Sequence, residues 1–193
     1  MTTSKAPRAP TRLAPVDPAT YTPEQVKAVE DFKAIRKVGL SGPWHVLIRS
    51  PELLTHVHQI GSYLRYRCSL SGRLSETTIM LVAREWSQDF EWGEHRKYAL
   101  AAGVKQETLD DIRAGRRPSL DGEDEIVWNF VTELLKTRRV SDASYAAALA
   151  AFGEQGVVDL SGLVGYYSLL AATMNVARVR EPDGEEPLPR FPE

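Results

Sequence analysis

A chain of 193 residues with 42% apolar and 26% charged residues suits one globular domain with tails and is long enough to bury a sizeable core. Its net charge of −2 and pI of about 6.1 give no electrostatic support to general nucleic-acid binding, so no nucleic-acid partner is expected. No apolar run approaches the roughly 18 residues needed to span a bilayer, so no membrane partner is expected either.

Residues 1–22 hold four prolines and little apolar content, and read as a flexible arm. The arm lacks the apolar region of a secretory signal. Its arginines and few acids fit a transit peptide and its prolines do not, so a cytoplasmic location is the default expectation. Order begins at Thr22-Pro23-Glu24-Gln25, with a capping threonine, proline at the first helical position and a capping-box glutamine. Val26, Val29, Phe32, Ile35 and Val38 follow at helical spacing, and Gly39 is expected to stop the helix. Ser50-Pro51-Glu52 starts a second helix carrying Leu54, Val57, Gly61, Leu64 and Cys68. Residues 69–72 form a turn. A third helix from Leu74 or Ser75 has Ile79, Val82, Ala83 and Trp86 as its stripe. Ser87, Gln88 and Asp89 are poor helix-interior residues and good caps, which predicts a break there and a new helix from Phe90 to Ala102, ended by Gly103. A short helix covers Gln106 to Ala114, and Asp121 and Ser141 cap two more. A last apolar helix runs from Val157 to Ala177, apolar on more than one face, with Gly165 allowing close helix approach. Strand-like alternation is nearly absent, so the fold class is all-α: an arm (1–22), a helical domain (23–180) and a C-terminal tail (181–193). Arm, tail and the broad apolar face of the last helix would serve either to wrap a neighbour or as a core helix with loose ends.

The stretch "REWSQDFEWGEHRKYALAAG" holds the residues best suited to chemistry. On a helix, Glu91 and His95 are four apart and can hydrogen-bond, which would raise the imidazole pKa and fix its tautomer for acid–base work. The same spacing also describes a solvated surface pair or a buried structural one. Glu76 comes near His95 if the break at Ser87 folds the two helices together. Arg84 and Gln88 are further polar candidates, Trp92 flanks them, and the pair Tyr166-Tyr167 could place phenols in a cavity. No metal is expected: His56 and His58 point to different faces, and Glu91 and His95 supply two ligands at most. No phosphate-cradling loop is present. The single cysteine, Cys68, excludes an intrachain disulfide, a Cys-x-x-Cys pair and a cysteine-rich zinc site.

"LSETTIMLVAREWSQDFEWGEHRKYALAAGV" resembles the core of the carboxymuconolactone decarboxylase family, which includes the alkylhydroperoxidase D-like proteins, and the flanks extend the likeness over roughly residues 20–190. The resemblance implies an alkylhydroperoxidase D-like helical bundle that assembles as a homo-oligomer, a trimer or hexamer, with its site among these helices near a subunit interface. The peroxidase branch carries a glutamate, a Cys-x-x-Cys and a histidine. The glutamate falls on Glu76 and the histidine on His95, but the cysteines fall on Gln88 and Glu91, which cannot attack or resolve a peroxide. The decarboxylase branch has a glutamate four residues before the histidine, as Glu91 and His95 are. It implies a cofactor-independent lyase acting on a small carboxylated or lactone-type compound. His95 would be its acid–base group, with Glu91 orienting it and Glu76 as second proton carrier. Arg84 would contact the substrate's anionic group, with Gln88, Trp92 and Tyr166 as further substrate contacts. A hydroperoxidase using Cys68 and a non-catalytic binding or assembly protein are the alternatives.

Overall fold

In the computed structural model, which describes residues 9–190, every regular element is helical: the short 3-10 turn Pro18–Thr20, then α1 (Pro23–Arg36), α2 (Pro43–Leu47), α3 (Pro51–Tyr66), α4 (Gly72–Glu85), α5 (Asp89–Ala101), α6 (Gln106–Arg113), α7 (Gly122–Thr137) and α8 (Asp142–Ala177). The first eight residues of the arm and the last three of the tail lie outside the described residues.

The start signals act in part as expected. Thr22 and Gln25 form a reciprocal capping box at α1 and Ser141 caps α8, whereas Ser50 and Asp121 stand at the starts of α3 and α7 without a side-chain cap bond, and Ser71, read only as part of a turn, caps α4. The stops differ. α1 ends at Arg36 with Lys37 in the left-handed region at φ 57°, before Gly39. Only Ala28, Val29 and Phe32 of α1 are buried, while Val26, Ile35 and Val38 are exposed. The stripe read there is half as deep as its spacing implied. α3 ends at Tyr66, so Cys68 lies in the following turn, and α4 begins at Gly72, ahead of Leu74. α2 was not read from the sequence at all, because five residues are too few for a periodic signal. The helices expected on either side of residues 153–156 form one element, α8, interrupted at Gly153, whose φ of 68° and ψ of 179° are not helical.

α4 is the central helix. Every residue from Leu74 to Arg84 is buried, and α5, α7 and α8 pack on it. Each fully buried large side chain, such as Ile79 or Met80, contributes about 1.5–3 kcal/mol relative to exposure. α1 packs on α3, and α2 sits against α3 and α8. α8 is two-faced: Leu160, Leu163, Tyr167, Leu170 and Met174 are buried, whereas Val158, Leu169 and Val176 face out. By length and composition it is the one helix among the described residues apolar enough to cross a bilayer, contrary to the count of unbroken apolar residues. Half of that stretch is buried against the other helices, as in the core helix of a globular protein.

The described parts of arm and tail lie on their own chain. The Arg12 backbone N–H donates to the Ala177 carbonyl at 2.9 Å, and Arg180 Nη2 donates to the Ala9 carbonyl at 3.2 Å. In the tail, Leu188 is buried and its N–H donates to Asp89 Oδ1 at 2.9 Å. Arg190 holds both oxygens of the same carboxylate, at 3.0 and 2.6 Å. Pro182 and Glu185 close over Gly93, where an added Cβ would sit 2.8 Å from Pro182 Cδ.

Candidate active site

α4 and α5 form an antiparallel hairpin, and its turn is where the sequence predicts a break. Ser87 takes a left-handed conformation (φ 47°), and the Gln88 side chain accepts the Glu91 backbone N–H at 2.8 Å, capping α5. Folding back brings residues 19 apart together: His95 Nδ1 lies 2.8 Å from Glu76 Oε2, and both side chains are buried. The contact ties Nδ1 to the Glu76 carboxyl and leaves Nε2 as the second, chemically available nitrogen. The other Glu76 oxygen is 4.0 Å from Arg65 Nη2 on α3, which makes Arg65, Glu76 and His95 one charge-linked row.

Glu91 therefore does not orient His95; Glu76 does. The four-residue spacing of Glu91 and His95 puts them on one helix face, but the shorter, buried contact crosses the hairpin. Glu91 is left 3% exposed, with Oε2 making no hydrogen bond among the described residues. Burial pushes its pKa up to about 8, the nearby Glu76 adds to the rise, and Arg65 opposes it. Burial thus favours its protonated form, which can donate a proton.

Glu91 and His95 line a cavity of about 390 Å³. α1 contributes Phe32 and Arg36, α2 and the loop before it Ser41, Pro43 and Trp44, α3 Arg65 and Tyr66, and α8 Tyr166, Tyr167 and Leu170. Phe90, Glu94 and Tyr98 complete the α5 wall. The His95 ring meets Tyr167 edge-on at 5.2 Å, and Tyr167 meets Tyr166 at 5.1 Å. Burial raises both phenol pKa values, so both hydroxyls stay protonated. Arg65 lies 5.0 Å over the Tyr98 ring and Arg36 lies 5.2 Å over Trp44, which gives each guanidinium an aromatic face.

Of the residues singled out by sequence, Glu91, His95 and Tyr166 line this cavity and Glu76 stands directly behind His95. Arg84, Gln88 and Trp92 are not among its lining residues. Arg84 is buried, with Nη1 donating to Ser87 Oγ at 3.2 Å, and burial together with the nearby Arg190 and Arg113 lowers its pKa. Gln88 is a helix cap, and Trp92 is core, 2% exposed. Cationic character comes instead from Arg36 and Arg65, which the sequence reading passed over. Their only signal is an arginine beside an apolar stripe at the end of a helix, and many solvated arginines share it. Gly165 is exposed, and a Cβ added there would meet nothing within 4 Å; Gly61, by contrast, is crowded by Tyr166.

Cys68 does not line the cavity. Its sulfur is 3.7 Å from Ser75 Oγ and 3.9 Å from the Leu70 carbonyl. Among the described residues no group of three or more His, Cys, Asp or Glu side chains is arranged to hold a metal ion. No family model matches the chain, and no curated protein matches its sequence.

Proposed function

We propose that the chain is an acid–base lyase acting on a small carboxylated or lactone-type compound, in the manner of a carboxymuconolactone decarboxylase. The observation that carries this reading is the buried Glu91 carboxyl, its Oε2 unpaired among the described residues, facing the same cavity as an imidazole held against Glu76. Decarboxylation beside a conjugated carbonyl breaks the carbon–carboxylate bond and leaves its electron pair on the carbonyl as a dienolate. Glu91 then delivers its proton to carbon, the carbonyl re-forms, and the Glu91 carboxylate recovers a proton from solvent. His95, held through Nδ1 by Glu76, passes that proton from solvent through Nε2 to the Glu91 carboxylate. Arg65 supplies positive charge on the same wall.

The test is CO₂ release from a panel of carboxylated lactones and β-keto acids. Turnover by the wild type that falls about 10²- to 10⁴-fold in His95→Ala supports the reading. A panel on which the wild type is inert, or His95→Ala retaining full turnover, overturns it. We also propose that the chain is cytoplasmic and assembles as a homo-oligomer, a trimer or hexamer.

A further inference from the structure

Two polar atoms at this cavity, Glu91 Oε2 and Arg36 Nε, are buried and make no hydrogen bond among the described residues, and the buried Tyr166 Oη has only the neighbouring Arg36 guanidinium beside it there. Buried polar atoms are almost always paired, so a cluster of unpaired ones in a cavity marks where a ligand supplies the partner. Glu91 is accounted for by the chemistry above; Arg36 and Tyr166 are not. They come from opposite ends of the chain, α1 and α8, and meet over α3 at Gly61. A Cβ built there would lie 2.0 Å from Tyr166 Oη and 2.6 Å from Arg36 Nη2, so both groups crowd one point that only a glycine leaves open. Arg36 Nη2 makes one long contact, 3.4 Å, to the His58 carbonyl, and the guanidinium rests over the Trp44 ring.

We propose that Arg36 and Tyr166 form an anchoring subsite for a carboxylate of the substrate, separate from the Glu91–His95 end where protons move. The Nε–Nη2 edge of a guanidinium matches the two oxygens of a carboxylate, and a protonated phenol adds a third donor. Among the described residues no ion pair neutralises Arg36 in the way Glu76 faces Arg65. The subsite rests on the reading of this cavity as the reactive site, but its test needs no turnover.

Equilibrium binding of benzoate and of benzamide, followed by titration calorimetry, reads it directly. Benzoate should bind the wild type and the amide should bind at least tenfold more weakly. Arg36→Gln should weaken benzoate roughly 10- to 100-fold, Arg36→Lys less, and Tyr166→Phe by about tenfold, while leaving the weak amide binding unchanged. Gly61→Ala should block benzoate by filling the point where the two groups meet. His95→Ala should bind benzoate as the wild type does, so loss of turnover there with binding intact separates the chemistry from the anchor. Unaltered benzoate affinity in folded Arg36→Gln, equal binding of acid and amide, or loss of binding only in Arg65→Gln would each overturn the assignment. Unfolding of Gly61→Ala is met by Arg36→Lys, which keeps size and charge and loses only the fork.

Discussion

Replacing Glu91 by glutamine should remove a pH dependence of stability that the wild type carries across neutrality. In the unfolded chain this carboxyl ionises near its ordinary value of 4.5, and in the folded chain burial holds its pKa at about 8. Between those values the folded state keeps a proton that the unfolded state has lost. Stability is therefore greatest below pH 4.5 and falls as pH rises through 8. The whole span corresponds to roughly 5 kcal/mol. His45 and His58, whose pKa values are lowered by burial, act in the opposite direction below about pH 6.5, where the unfolded histidines gain protons. The window from pH 6.5 to 8 isolates Glu91 from them. One proton over 1.5 pH units is worth about 2 kcal/mol, or about 4–8 °C of melting temperature for a domain of this size. Thermal melts followed by circular dichroism at both pH values should show that loss in the wild type and a flat profile in Glu91→Gln, which cannot ionise. Equal shifts in both proteins would show that Glu91 is not the buried neutral acid described above.

Glu76→Gln should leave the fold in place but lower turnover by about 10²-fold, because an amide can turn either its oxygen or its NH2 towards Nδ1 and carries no charge to hold the ring; kcat on the active substrate is the readout. Asp89→Asn should cost about 1–3 kcal/mol and expose the tail, since Leu188 and Arg190 both close on that carboxylate; limited proteolysis near residue 185 should accelerate. Cys68→Ser should change neither turnover nor carboxylate binding, because the thiol lies outside the cavity lining; loss of either would revive a thiol mechanism.

The helices were legible because their ends carry strong local chemistry: Thr22 with Gln25, Ser141, and the cap-rich break at 87–89. The α4–α5 hairpin followed from that break, and with it the approach of Glu76 to His95. What the sequence withheld is what tertiary packing decides. Glu91 and His95 share a face in either a paired or an unpaired arrangement, and only the depth of Glu76 selects between them. Arg84 and Gln88 sit in the same strip as the reactive residues but turn towards the Ser87 turn and the α5 cap. Arg36 and Arg65 read as ordinary helix-end cations until α1, α3 and α8 converge. Gly61 and Gly165 are indistinguishable as letters, yet only the first faces a crowded phenol.

Glu76 and His95 are joined by one hairpin of neighbouring helices, whereas Arg36 and Tyr166 are 130 residues apart in the numbering and meet only when both chain halves are home. Contacts of short separation form early and cheaply in loop entropy; long-range ones close late. A fragment spanning the hairpin could present the acid–base pair without any wall to hold a substrate against it. Ligand affinity is thus a more demanding report of native assembly than the state of the imidazole. The two halves of the site can also drift independently, one keeping its proton chemistry while the other is re-cut for a different molecule.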